Sequence, residues 1–239
     1  MEAAPQLGSC ALCRLNCSNR TTYPLQKENC VMKPVQDCHS YFECLSIAIA
    51  KMPFHRIEQV VEILVDAYEN QRTVYLFGNG GSAALASHFA CDLAKGTVNG
   101  SARRFHALAL TDNVALMTAW ANDCNYEDIF AEQLLNFIRP CDVAFAISGS
   151  GNSGNVLKAV KVARHAGATA VGLTGFEGGR LKNLCHACLV VPADNMQVIE
   201  DLHLCVTHCL FTCIRARIAP SVPVYRWMGA EALPKASGQ

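Results

Sequence analysis

The chain has 239 residues, with 20 Lys+Arg against 20 Asp+Glu, 51% hydrophobic and 17% charged. That length suits one α/β-sized domain with a core of useful size, and the charged fraction, below the roughly 25% of typical soluble chains, leaves surface for subunit contacts to cover. A formal net charge of +0, with no basic cluster longer than Arg103-Arg104, argues against nucleic acid as a partner.

No apolar run approaches the roughly 20 residues that cross a bilayer, and residues 1–18 lack a basic start followed by an apolar stretch. A cytoplasmic protein with no membrane partner is expected. The 14 cysteines are then read as reduced thiols acting as small apolar side chains, and the sequons at Asn16, Asn19 and Asn99 carry little weight.

Residues 1–39 hold Cys10, Cys13, Cys17, Cys30 and Cys38 among Pro5, Pro24 and Pro34 with no sustained apolar period, as in an appendage. A metal site there lacks a second well-spaced pair, so an irregular tail is the preferred reading. From Ser40 the pattern changes. Tyr41, Leu45, Ala48 and Ile49, then Ile57, Val60, Val61, Leu64, Val65 and Tyr68, recur at three- and four-residue steps and predict two helices parted near Pro53.

Short β-rich runs follow at 73–77, 106–110, 142–147, 170–173 and 187–191, separated by helical or turn-rich sequence. That alternation predicts a parallel sheet with helices on both faces. Cys185 and Cys188, with His186 between them, lead straight into the last of these runs and are read as part of it. Residues 197–218, apolar at Ile199, Leu202, Val206, Leu210, Cys213 and Ile214, predict a closing helix. Pro220, Pro223 and Pro234 then make 219–239 a tail or clasp beyond a domain of residues 40–218.

Two segments carry chemistry. The run 73–77 enters Gly78-Asn79-Gly80-Gly81-Ser82 and then the helical residues 83–94, placing a glycine-rich loop where unpaired N–H groups and the positive helix end receive anions. A tight turn alone would also use these glycines. A dinucleotide site fits Gly78-x-Gly80-x-x-Ala83 but wants an acid about 20 positions on, and Asp112 stands too far along. A nucleotide P-loop lacks its Lys-Ser/Thr pair.

The second segment follows run 142–147: Ser148-Gly149-Ser150-Gly151-Asn152-Ser153-Gly154 enters the helical residues 155–165. Two such loops meeting at one sheet edge suit a phosphate, each hydrogen bond to the charged group being worth about 1.5–3 kcal/mol. Helix capping explains one of the three serines and not the others.

Gly78-Asn79-Gly80-Gly81-Ser82 with His88-Phe89-Ala90, Ala109-Leu110-Thr111-Asp112, Asn122-Asp123 before Asp128-Ile129-Phe130, Ile147-Ser148-Gly149-Ser150-Gly151-Asn152-Ser153, Leu173-Thr174-Gly175, and Glu200-Asp201-Leu202-His203 with His208 resemble the sugar isomerase (SIS) domain of the phosphoheptose isomerase family. The resemblance spans roughly residues 41–218. It implies a single SIS domain, α/β in class: a five-stranded parallel sheet flanked by helices, a flavodoxin-like three-layer sandwich, with N-terminal helices given to oligomer contacts. It also implies interconversion of sedoheptulose 7-phosphate and D-glycero-D-manno-heptose 7-phosphate in a homotetramer with sites between subunits.

The family's base and acid fall on Asp92 and His208. Some members hold zinc at four positions that fall on His88, Asp92, Glu200 and His208. The implied substrate-binding set is Asn79, Gly80, Gly81, Ser82, Asp112, Ser148, Gly149, Ser150, Ser153 and Gln197, the serines and Asn79 holding the phosphate and Asp112 the sugar hydroxyls. His88 and Asp92 share a helical face, and Glu200 and His208 lie about 80° apart in helical phase, so the four are expected to converge. His203 is left to the core.

Four positions depart from the family. Asp92 replaces Glu, Glu200 replaces Gln, Gln197 stands where Asp is frequent, and Gly149 where a phosphate-binding Thr is usual. They leave open whether Glu200 has become base or metal ligand, or the substrate differs. A non-catalytic SIS protein that binds sugar phosphate or a replication initiator is the alternative, and retention of His88, Asp92, Glu200 and His208 favours an enzyme.

Overall fold

The computed structural model describes residues 35–98, 100 and 103–219. The cysteine cluster Cys10, Cys13, Cys17 and Cys30 and the proline-marked tail lie outside these described residues. Helix α1 (Cys38–Ala50) starts with a capping box: the Asp37 carboxylate accepts the Ser40 N–H at 2.8 Å while Ser40 Oγ accepts the Asp37 N–H at 3.0 Å. Cys38 is therefore helical. Pro53 opens α2 (Phe54–Glu69), which buries Ile57, Val60, Val61, Leu64, Ala67 and Tyr68 along one stripe.

The remaining elements alternate: β1 (Thr73–Gly78), α3 (Gly81–Cys91), β2 (His106–Ala109), α4 (Val114–Asp123), α5 (Ala131–Phe137), β3 (Val143–Ile147), α6 (Gly154–His165), β4 (Thr169–Thr174), α7 (Leu181–Leu184), β5 (Ala187–Val190) and α8 (Met196–Ile218). The sheet has five strands, all parallel, in the order β2-β1-β3-β4-β5. β3 begins after Asp142 because that carboxylate accepts the N–H groups of Thr73 at 2.9 Å and Arg139 at 2.8 Å, fixing the start of two strands at once.

Side chains alternate across the strands. Leu76, Val143, Phe145, Val171 and Leu189 face α1, α2, α3 and α8, while Tyr75, Phe77, Ala144, Ala146 and Ala170 face α5, α6 and α7. This is the three-layer sandwich expected from the alternation. α4 differs from the other long helices in burying none of its residues, although Met117 and Trp120 pack partly against the second layer.

The helix expected over 83–94 ends as an α-helix at Cys91 and continues as a π-helical turn, Asp92–Gly96. A widened turn of this kind is frequent at functional sites. At its end a Cβ on Gly96 would lie 2.5 Å from Phe211 Cζ. Glycine there lets α3 and α8 approach closely.

Candidate active site

In this strand order the winding runs outward in opposite directions from β1 and β3, so the loops leaving their carboxyl ends form a crevice. The first is Asn79-Gly80, where Gly80 has φ 55°, a left-handed conformation that favours glycine. Asn79 and Asn155 pair amide to amide: Asn79 Nδ2 donates at 2.9 Å and Asn155 Nδ2 returns the bond at 2.8 Å. The Tyr126 hydroxyl also donates to Asn79 Oδ1, at 3.1 Å. Asn79 is thereby fastened to the start of α6, directly behind the second loop.

In that second loop Ser148 Oγ and Ser153 Oγ lie 3.3 Å apart. Ser153 occupies the N-cap position of α6 but its hydroxyl makes no cap hydrogen bond, so the capping explanation of the serines fails. The Ser150 hydroxyl accepts the Asn152 N–H at 3.2 Å, and Asn152 Oδ1 accepts the Arg180 N–H at 3.0 Å. Gly149 is buried with Met196 Sδ only 2.6 Å from where its Cβ would stand. A methionine thioether thus fills the space a threonine side chain would need.

Both helix N-termini that border the crevice meet a carboxylate. Glu200 oxygens lie 3.0 Å from the Cβ position of Gly81, the first residue of α3, and Glu127 Oε1 lies 2.5 Å from that of Gly154, the first residue of α6. Partial positive charge at each terminus favours an anion there. Asp112, after β2, accepts a short hydrogen bond from Ser87 on α3, and Gln197 caps nothing: its own N–H donates to Asn195 Oδ1 at 3.0 Å.

Across α3 and α8, His88 Nε2 and His208 Nε2 are 2.9 Å apart, with Asp92 Oδ2 at 3.5 Å from the first and 3.9 Å from the second. His88 on α3 and Asp92, the first residue of the π turn that continues it, are one turn apart, and the close approach at Gly96 and Phe211 brings His208 over to them. Among the described residues these three form the group able to hold a metal ion. Four-coordinate zinc with ligand bonds of about 2.1 Å holds its donors about 3.4 Å apart, and two imidazoles with one carboxylate leave a position open, as catalytic zinc sites do. The donor set fits. Glu200 lies outside this group but lines the same cleft as His88, a space of ≈ 270 Å³ also bordered by Gly81, Ser82, Asp201 and His203.

His203 is 1% exposed. Burial pushes its pKa down to about 4, opposed in part by the nearby Thr174 backbone, and neither ring nitrogen makes a well-formed hydrogen bond. Elsewhere on α8 the Tyr41 hydroxyl donates to Asp201 Oδ2 at 2.5 Å, and that bond to a carboxylate pushes the phenol up to about 12.

The family model described as SIS domain matches residues 42–175. A Helicobacter pylori (strain P12) protein named phosphoheptose isomerase is 38% identical over 163 residues, 68% of this chain and 84% of its own. This chain belongs to the phosphoheptose isomerase family of SIS-domain proteins. Another family member, from Paramagnetospirillum magneticum, is 37% identical over 188 residues, 78% of this chain and 96% of its own. The solved structure of the phosphoheptose isomerase GmhA from Neisseria gonorrhoeae matches with a TM-score of 0.68 at 30% identity, covering 74% of this chain and 94% of that one. By family the chain is an aldose–ketose isomerase; of the four departures Gly149 lies in the serine loop, Gln197 and Glu200 on α8, and Asp92 in the π turn that continues α3.

Sequence reasoning missed Glu127, Asn155, Tyr126 and Met196. Asn155 follows the serine loop directly and Glu127 precedes the Asp128-Ile129-Phe130 segment already singled out, so neighbourhood was a usable signal for both. Met196 carried none.

Proposed function

We propose that this chain interconverts sedoheptulose 7-phosphate and D-glycero-D-manno-heptose 7-phosphate, with Glu200 carrying the proton between C1 and C2. The carrying observation is the division of the two carboxylates. Asp92 is held between two imidazoles, whereas Glu200 stands apart at the α3 N-terminus in the cleft shared with His88. A base must reach a carbon-bound proton, and a carboxylate engaged by two histidines is poorly placed to leave them. Ser82, Ser148, Ser150, Ser153 and Asn79, with the backbone of Gly80, Gly81 and Gly149, are assigned to the phosphate; Asp112 and Gln197 to sugar hydroxyls.

His208, oriented by Asp92, is assigned the proton that passes between O1 and O2 in the metal-free cluster. A zinc ion held by His88, Asp92 and His208 would supply a Lewis acid that polarises the same oxygens. The lack of any buried residue on α4, with Val114 64% exposed, supports covering of this face by other copies, as in a homotetramer with sites between subunits. Residues 40–218 are read as the isomerase domain, flanked by an extension (1–39) and a tail (219–239), and working in the cytoplasm.

The test is NMR of sedoheptulose 7-phosphate in D2O. Wild-type protein should produce aldose carrying deuterium at C2; Glu200→Gln should stop both turnover and label, while Asp92→Asn should keep measurable exchange. Turnover surviving in Glu200→Gln would move the base to Asp92. No conversion by the wild type would overturn the isomerase reading.

A further inference from the structure

Cys185 and Cys188 lie outside the proton-transfer site. In an unbroken strand, residues three apart point to opposite faces. Here the chain bends at His186, whose N–H donates to the Ala170 carbonyl at 2.9 Å and whose Nδ1 accepts the Ala170 N–H at 2.9 Å. That double tie turns Cys185 to the side of Cys188. Both sulfurs then rest over Gly172 on β4: a Cβ there would lie 2.9 Å from Cys185 Sγ and 3.0 Å from Cys188 Sγ. Glycine at this register position leaves room for two thiols side by side.

The two thiols are partly exposed, so a small oxidant has access. They share a hydrogen bond that raises the pKa of Cys185 and lowers that of Cys188, with Lys182 and Arg56 adding to the second effect. Cys188 is therefore the better nucleophile.

We propose that Cys185 and Cys188 form a reversible dithiol–disulfide pair, a modification site for peroxides that loosens the phosphate loop when oxidised. The Cys188 thiolate attacks one peroxide oxygen and breaks the O–O bond, giving a sulfenic acid and a hydroxide that leaves as water after taking up a proton. Cys185 sulfur then attacks the sulfenic sulfur, the S–O bond breaks, and a second water leaves. Two thiols and one hydrogen peroxide become one disulfide and two waters, with two electrons passing from sulfur to oxygen.

The pair reaches the phosphate loop through α7. Cys185 N–H donates to the Leu181 carbonyl at 3.1 Å, and Leu181 N–H donates to the Gly151 carbonyl at 2.9 Å in the serine loop. At that junction a Cβ on Gly151 would lie 2.2 Å from the Gly178 carbonyl oxygen, so little slack exists between the two loops. Drawing the sulfurs to a bond of about 2.05 Å displaces one end of a four-residue helix whose other end is tied to the serine loop at Gly151.

The experiment treats the full chain with hydrogen peroxide and maps chymotryptic peptides that separate this pair from Cys205. The expected result is a Cys185–Cys188 disulfide, reversed by dithiothreitol, in wild type and none in Cys185→Ser or Cys188→Ser. Calorimetry with sedoheptulose 7-phosphate should then show affinity reduced several-fold in oxidised wild type, restored by dithiothreitol, and unchanged by peroxide in Cys185→Ser/Cys188→Ser. This affinity effect rests on the isomerase reading, whereas the peptide map does not. Peroxide doses that oxidise other thiols without joining this pair would overturn the proposal, as would an equal loss of affinity in the double variant.

Discussion

His88 and His208 meet across two helices with Nε2 atoms 2.9 Å apart and ring planes at 69°. At that separation one of the two facing nitrogens donates and the other accepts, so the two rings take opposite roles in the bond. A cation at this point would be held by both lone pairs.

The first prediction concerns that cation. Removing a supporting residue from a metal site costs roughly 10–100-fold in affinity, and removing a ligand should cost more. His88→Ala and His208→Ala should therefore purify without zinc under conditions where wild type and Glu200→Gln retain it, as read by plasma mass spectrometry. Equal zinc in His208→Ala and wild type would remove the cluster from consideration.

Binding and chemistry should separate. Ser150→Ala removes a hydroxyl assigned to phosphate and should raise KM with little change in kcat, at a cost of about 1.5–3 kcal/mol for a bond to a charged group. His208→Ala should instead reduce kcat while isothermal titration still detects the sugar phosphate. Parallel loss of both parameters in both variants would contradict this division.

Gly149 and Met196 should behave as a coupled pair. Gly149→Thr places atoms where Met196 Sδ now lies and should destabilise the protein by about 1–3 kcal/mol, as overpacking does. Adding Met196→Ala opens the space. A double-mutant cycle by urea unfolding should show the second change restoring most of the loss, and additive effects would mean the thioether is a bystander.

His203 sets a pH dependence. Its value falls from 6.5 to about 4 on folding, so between these limits the unfolded chain binds a proton that the folded chain does not. Stability from this source is complete above pH 6.5 and declines as pH falls toward 4, by roughly 3 kcal/mol. Unfolding midpoints of wild type and His203→Leu, compared at pH 7 and 4.5, should show a smaller drop in the variant. Identical drops would place the acid sensitivity elsewhere.

The sheet and most of the crevice could be read from the sequence because period and loop chemistry are local properties. Short apolar runs separated by helical or turn-rich sequence marked all five strands, and the order β2-β1-β3-β4-β5 brings the Asn79 and Ser148 loops to neighbouring strand ends. The expectation for His203 followed from its phase on α8. What escaped depends on contacts across space: the π turn at Asp92–Gly96 answers to Phe211, and the separation of Glu200 from the histidine cluster reflects where α8 crosses α3. Helical phase turned Glu200 toward the cleft that His88 lines without giving its reach.

α4 has a wider meaning. A helix of 10 residues with none buried has little reason to persist alone, since most helical stability in proteins comes from tertiary packing and short isolated helices are marginal in water. In the homotetramer proposed above its order is lent by neighbouring copies, and Asp112 sits two residues before it begins. That assembly predicts a specific activity that declines on dilution while the sheet remains folded, so that the quantity of protein present would set each chain's competence; activity independent of concentration would remove the assembly from the account of α4.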